Sequence, residues 1–128
     1  AMIDAAALAG AVRTAPAGQR YVVAEIPWID PGRLAAEARR LSGELDAVAV
    51  LLLPDARAGS LRVGVSVPAA GQLDARDVLR QVLAVTGGRG GGSPGFAQGG
   101  GAKLADLPAV TARIRAALGL GDGQDPAG

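Results

Sequence analysis

Glycine, arginine and a single lysine carry most of what this sequence can do chemically. Nine of its 20 glycines lie in one segment, Gly87-Gly-Arg-Gly-Gly-Gly-Ser-Pro-Gly-Phe-Ala-Gln-Gly-Gly-Gly101. Glycine admits positive φ, and successive N–H groups in such conformations can turn inward as an anion-binding nest. Cations accompany the segment: residues 78–105 hold Arg80, Arg89 and Lys103 and no acid. Gly90, Gly92 and Gly95 formally satisfy G-x-G-x-x-G, but a dinucleotide fingerprint needs a strand before it and a helix opening within it. Here a helical pattern precedes the run and Pro94 interrupts it, and no Gly-Lys-Ser/Thr follows to make a phosphate-binding P-loop. A flexible linker is the alternative reading on composition. The lone aromatic Phe96 beside Ala97 and Gln98, the absence of acids and the amphipathic helix that follows favour an ordered, close-packed loop.

Other chemistry is scarce. The 128 residues include neither His nor Cys, which excludes the usual zinc ligands, thiol nucleophiles, disulfides and the Ser-His-Asp triad. Ser42, Ser60, Ser66 and Ser93 therefore have no histidine to activate them. Asp74 with Asp77, and Glu44 with Asp46, read as helix caps and solvated faces rather than acid–base pairs. Arg39-Arg40 reads as a solvated helix face, with phosphate contact as the lesser option, and Trp28 beside Pro27 as an anchor for the loop into a helix. Aromatics make up 2% of the chain and the net charge is +1, which by itself does not mark a nucleic-acid-binding protein. No apolar run approaches the ~20 residues of a membrane span, and the start lacks the basic residues of a signal peptide. Cytoplasmic location is the expectation.

The surrounding elements follow from periodicity. Ala5 to Val12 is helix-prone and suits the end of a longer helix, broken by Pro16 and Gly18; Ala1-Met2 reads as a tag remnant ahead of an internal fragment. Tyr21 to Ile26 is β-branched and short, a strand. Asp30-Pro31 caps a helix with Leu34, Ala38, Leu41 and Leu45 on one face. Ala47 to Leu53 is an apolar strand covered on both sides, stopped by Pro54, and the alternating Leu61, Val63, Val65, Val67 form a hairpin with it. Asp74 caps a third helix closing at Gly87-Gly88, and Asp106 a last one ending at Gly119. A further short strand fits around Phe96 to Gly100. The expected fold is α/β, a mixed sheet of about four strands with helices packed on it, preceded by a helix stub. Residues 1–16 end a preceding helical segment, 20–119 form the domain and 120–128 a frayed tail.

The glycine segment resembles the GG(K/R)GGG-x-P-x-x-A-Q-x-G signature of the C-terminal domain of alanyl-tRNA synthetases, called C-Ala or DHHA1. The order of elements from Tyr21 to Leu118 agrees with that family. The resemblance implies an RNA-binding module that contacts the tRNA elbow and couples aminoacylation with editing, itself neither ligase nor deacylase. The implied parent is an ATP-dependent alanine–tRNA ligase using ATP, magnesium and zinc, with no cofactor in this fragment. It implies Arg89 and Lys103 as phosphate-contacting cations, Gly90, Gly91, Gly92, Gly99, Gly100 and Gly101 as points of close backbone approach, and Ser93 and Gln98 as hydrogen-bonding residues. Family members usually carry a basic residue where Ser93 stands. Implied partners are alanine-specific tRNA, the other domains of the parent and a second copy joined through a helical segment, with no membrane. Two other readings stand beside it. DHH-family phosphoesterases carry a similar nucleotide-gripping domain, but with a GGGH-x-x-A-A-G pattern whose histidine this chain lacks. A pure dimerisation module would bury the loop against a partner.

Overall fold

The computed structural model describes residues 3–69, 73–103 and 107–120. In chain order these form α1 (Ala5–Leu8), a 3₁₀ turn (Ala9–Ala11), β1 (Arg13–Thr14), β2 (Arg20–Glu25), a 3₁₀ turn (Pro31–Arg33), α2 (Leu34–Leu45), β3 (Val48–Asp55), β4 (Ser60–Ser66), α3 (Ala75–Thr86), β5 (Arg89–Gly92), β6 (Phe96–Lys103) and α4 (Leu107–Ala117). One six-stranded sheet runs β1-β2-β3-β4-β6-β5. β2 and β3 are parallel and every other pairing is antiparallel.

The sheet is thus mixed, as expected, but has six strands rather than about four. One addition is β1, because the stub ends early and Arg13 and Thr14 pair with Tyr21 and Arg20. The other is larger. The glycine segment is no loop with inward amides: Arg89–Gly92 and Phe96–Lys103 extend and pair with each other, and β6 pairs with β4. Positive φ occurs only at its ends, at Gly87, Gly88 and Gly101, so an anion nest does not form along Gly90–Gly92. Pro54 does not stop β3 but pairs with Leu61 in the hairpin to β4. Asp106, expected as the cap of α4, and residues 121–128 of the expected tail lie outside the described residues.

Each face of the sheet buries its own apolar layer. Leu34, Ala38 and Leu41 of α2 cover Val22, Ala24, Ala49, Leu51, Leu53 and Phe96. Val78, Leu79 and Val82 of α3 and Val110 and Ile114 of α4 cover Val48, Val50, Leu52, Val63, Val65 and Ala97. The alternation along β3 and β4 sorts residues between the layers, since successive strand side chains point to opposite faces. On the α2 side Gly64 lies beneath Leu34, where a Cβ would come within 2.9 Å of a Leu34 methyl. The buried Ser42 and Ser66 hydroxyls join α2 to β4 at 2.9 Å. On the other side Thr111 Oγ1 donates to Glu25 and Arg115 to the Val23 carbonyl, which seats α4 over β2. α3 lies over β4, β6 and β5.

The helix ends are as the sequence indicates. Asp30 accepts from the Gly32 N–H and Asp74 from the Arg76 N–H, each satisfying an amide of a first turn. Trp28 is a correction: it anchors nothing, being 52% exposed, while its neighbour Ile29 is buried.

Candidate nucleic-acid interface

Register decides which way the hairpin residues face. Leu53 pairs with Arg62 and Leu51 with Gly64; Gly64 pairs with Gln98, and Gln98 with Gly91. Ser60 pairs with Lys103 and Arg89 with Gly100. Because Leu51 and Leu53 belong to the α2-side layer, Arg62, Gln98, Gly91, Gly100, Arg89 and Lys103 share that side. α2 covers Gly64, Ser66 and Phe96 on this side, whereas Arg62, Arg89, Gln98 and Lys103 are exposed.

Arg39 completes this face. Its guanidinium lies 5.6 Å from the centroid of the Phe96 ring, a cation–π distance. Phe96 is buried, so the single aromatic of the hairpin closes the α2-side core and seats a cation at its border. Among the described residues Arg39, Arg62, Arg89 and Lys103 make neither ion pairs nor side-chain hydrogen bonds. The neighbouring Arg40 is bound on all sides. It donates to Glu37, Glu44 and the Ile3 carbonyl, while Glu37 also accepts from the Ile3 N–H at 2.7 Å. The Arg40 hydrogen bonds, then the Ile3 N–H, hold the Glu37 carboxyl below its ordinary pKa. Arg39-Arg40 is thus one structural cation and one open cation.

The α3 side of the hairpin differs. Arg76 and Arg80 border Gly90 there, but Arg76 is paired with Asp74 at 2.6 Å and Arg80 with Asp77 at 2.8 Å. The hydrogen bonds from Arg76 draw the Asp74 carboxyl down to about 2.

The glycines also divide by face. A Cβ on Gly90 would lie 2.4 Å from the Gln98 carbonyl oxygen, and one on Gly92 2.4 Å from that of Phe96. One on Gly99 would meet the Arg89 carbonyl at 2.9 Å and the Leu83 methyls. These three glycines let the strands approach each other and α3. Gly91 and Gly100, on the α2 side, have nothing within 4 Å of a built Cβ and no positive φ. Internal packing does not require glycine at either position. Ser93 closes the turn, its hydroxyl donating to the Phe96 carbonyl and accepting from the Phe96 N–H.

Of the sequence-derived residues, the structure gathers Arg89, Gly91, Gln98, Gly100 and Lys103 on one face. Gly90, Gly92 and Gly99 point the other way, Ser93 lies in the turn and Gly101 sits at a bulge with φ +79°. Sequence reasoning missed Arg62 and undervalued Arg39. The alternation Leu61-Arg62-Val63 already marks Arg62 as outward-facing; nothing local distinguishes Arg39 from Arg40. The arrangement offers hydrogen-bond donors and bare backbone to a polyanion. Among the described residues no three His, Cys, Asp or Glu side chains converge as metal ligands.

The DHHA1 domain model matches residues 18–120. The chain is 40% identical over 115 residues to alanine–tRNA ligase, chloroplastic/mitochondrial, of Micromonas pusilla, a match covering 86% of this chain and 13% of that protein. It is 34% identical over 100 residues to alanine–tRNA ligase of Bordetella pertussis, covering 77% and 11%. It thus spans only a small part of the length of the relatives it matches. Among solved structures it superposes on the C-Ala domain from Aquifex aeolicus alanyl-tRNA synthetase with TM-score 0.65 at 21% identity, covering 79% of this chain and 92% of that one. Exonuclease RecJ bound to manganese shares the fold at TM-score 0.58 and 16% identity, over 83% of this chain and 24% of that one. With a family model spanning most of its length, a six-stranded mixed sheet and the glycine hairpin at its edge, the chain belongs to the DHHA1 domain family.

Proposed function

We propose that this domain is the tRNA-binding C-terminal module of an alanine–tRNA ligase and that it binds through the α2 side of the glycine hairpin. One observation carries the reading: four cations without an acidic partner among the described residues share a face with two glycines that no internal contact demands. Phosphodiesters attract such cations through counterion release, and bare backbone admits a sugar-phosphate chain to hydrogen-bond distance. Arg89 and Lys103 contact phosphates, Gly91 and Gly100 permit the approach, and Gln98 adds a hydrogen bond. Its relatives among the alanine–tRNA ligases support tRNA over other polyanions. In the parent the module holds the tRNA elbow while the acceptor end visits the aminoacylation and editing centres. ATP, magnesium and zinc belong to those other domains, as does any dimer contact, and the working compartment is the cytoplasm.

The RecJ likeness is one of fold. The phosphate-gripping histidine that the phosphoesterase pattern places after its glycines has no counterpart here, since the chain contains no histidine.

Anisotropy titration with a tRNA transcript tests the reading, using the wild-type chain and Arg89→Ala/Lys103→Ala. The expected result is weak, salt-sensitive binding that falls in the double variant. Unchanged affinity in that variant removes the hairpin from the interface, and tighter binding of di- or short oligonucleotides than of tRNA moves the function to the phosphoesterase lineage.

A further inference from the structure

Trp28 is the one large apolar side chain left in solvent among the described residues. The turn that carries it is well held: the Ile26 N–H donates to the Leu52 carbonyl at 2.8 Å and the Ile29 N–H to the Ile26 carbonyl at 3.3 Å. Both isoleucines are buried. The indole between them is therefore presented outward by a fixed backbone.

The same turn walls an open cleft of about 310 Å³ at the carboxyl ends of the parallel strands β2 and β3, the place where open α/β sheets receive ligands. Pro27 and Ile29 stand on one side and Ser60 and Arg62 on the other, with Gly100 and Gly101 also lining it. Trp28 is not part of the lining; it follows Pro27 at the border. Asp55 itself lines the cleft and Asp30 is close in sequence to its Pro31 wall; one carboxylate oxygen of each is engaged in a turn. Asp55 Oδ1 accepts from the Arg57 and Ala58 N–H groups and Asp30 Oδ1 from that of Gly32. Arg62 is exposed and has no partner among the described residues. Because Arg62 and Gly100 belong both to the cleft and to the cationic face, a polyanion lying on that face reaches the cleft without a break.

We infer that Trp28 is a stacking platform for one unpaired base of the bound RNA and that Arg62 holds the phosphate of the same nucleotide. The inference rests on the RNA reading of the α2-side face. An exposed aromatic ring at the border of a cleft that a free guanidinium and bare backbone also line is a combination by which single-stranded nucleotides are held: the ring takes the base and the cation the phosphate. A protein partner would instead be met by a contiguous apolar patch, whereas the exposed residues around this cleft are mainly polar, proline or glycine.

Trp28 is the only tryptophan, so its emission reports on this position alone. The 128-residue chain is titrated with a tRNA transcript while tryptophan fluorescence and anisotropy of end-labelled tRNA are followed. Stacking predicts quenching that saturates together with binding. Trp28→Ala should weaken binding by about tenfold and Trp28→Phe much less. Arg62→Ala should lower the salt slope by about one while leaving the quenching in place. Binding with unchanged emission, and with Trp28→Ala at wild-type affinity, overturns the inference and leaves the RNA reading standing. No binding of tRNA by the wild-type chain at low salt overturns both.

Discussion

The two faces of the glycine hairpin use the same residue types for opposite ends. On the α3 side, Gly90, Gly92 and Gly99 are filled to closer than van der Waals distance of any added Cβ, and the bordering cations Arg76 and Arg80 are neutralised by Asp74 and Asp77. On the α2 side, Gly91 and Gly100 are open, and Arg39, Arg62, Arg89 and Lys103 make no ion pair among the described residues, the nearest acid by register being Asp55, whose Oδ1 is held in its own turn. The glycine-rich hairpin is therefore not uniform. One face builds the sheet edge and the other presents it.

The sharpest way to break this division is to fill the closed face. Gly90→Ala or Gly92→Ala puts a methyl 2.4 Å from a carbonyl oxygen that belongs to the paired strand and cannot retreat alone. Each should cost about 3 kcal/mol, the upper part of the range for overpacking, read as a lowered urea midpoint. A change within experimental error would mean that the hairpin is not paired as described.

Arg40 and Arg39 repeat the contrast on one helix. Removing the carboxylate that holds Arg40 deprives the Ile3 N–H and the guanidinium of their acceptor at a site where Glu37 is 5% exposed. Glu37→Ala should destabilise the chain by about 2 kcal/mol, again by urea denaturation, whereas Arg39→Ala should leave the midpoint within about 0.5 kcal/mol of wild type.

Acid should follow the same order. Glu37 and Asp74 both have carboxyls below their ordinary pKa, the first held down by Arg40 and the second, at about 2, by Arg76. A carboxyl with a depressed folded-state pKa contributes its full stabilisation above the unfolded value and loses it as pH falls through the folded one. The midpoint should therefore be level from pH 7 to about pH 5 and decline below about 4.5, towards 2, where the Asp74 contribution also goes. Glu37→Gln should flatten the upper part of that decline. A loss beginning near pH 6 would contradict it.

The smallest stability effect belongs to the open glycines. Gly91→Ala and Gly100→Ala should change stability by no more than about 0.5 kcal/mol yet lower tRNA affinity by a few-fold, since a methyl would stand where the ligand approaches. An effect on folding as large as that of Gly90→Ala would erase the distinction between faces.

Much of the architecture was legible because it rests on periodicity and caps. Leu34, Ala38 and Leu41 announced α2, Asp30 and Asp74 their helix starts, and Leu61, Val63 and Val65 one face of β4. Of the glycine hairpin only β6 was legible, as the short strand around Phe96 to Gly100; β5 was not, because glycine carries no side-chain alternation by which a strand can be recognised. Pro54 misled for a different reason. The penultimate position it takes in β3, beyond the stretch paired with β2, depends on the hairpin with Leu61, which a local reading does not include. Trp28, expected beside Pro27 to anchor the loop into α2, is exposed, and Ile29 is the buried residue of that turn. Of the site, Arg89, Gly91, Gln98, Gly100 and Lys103 were named from the sequence, while Arg62, Arg39 and the division between faces needed the register and the packing.

On the proposed reading RNA meets the α2 side of the hairpin and not the α3 side. The direct measurement is the salt dependence of tRNA affinity for two double variants, Arg62→Ala/Arg89→Ala and Arg76→Ala/Arg80→Ala. The account predicts that the slope of log affinity against log salt falls by about two units in the first and is unchanged in the second. Equal losses, or a loss confined to Arg76→Ala/Arg80→Ala, would contradict it.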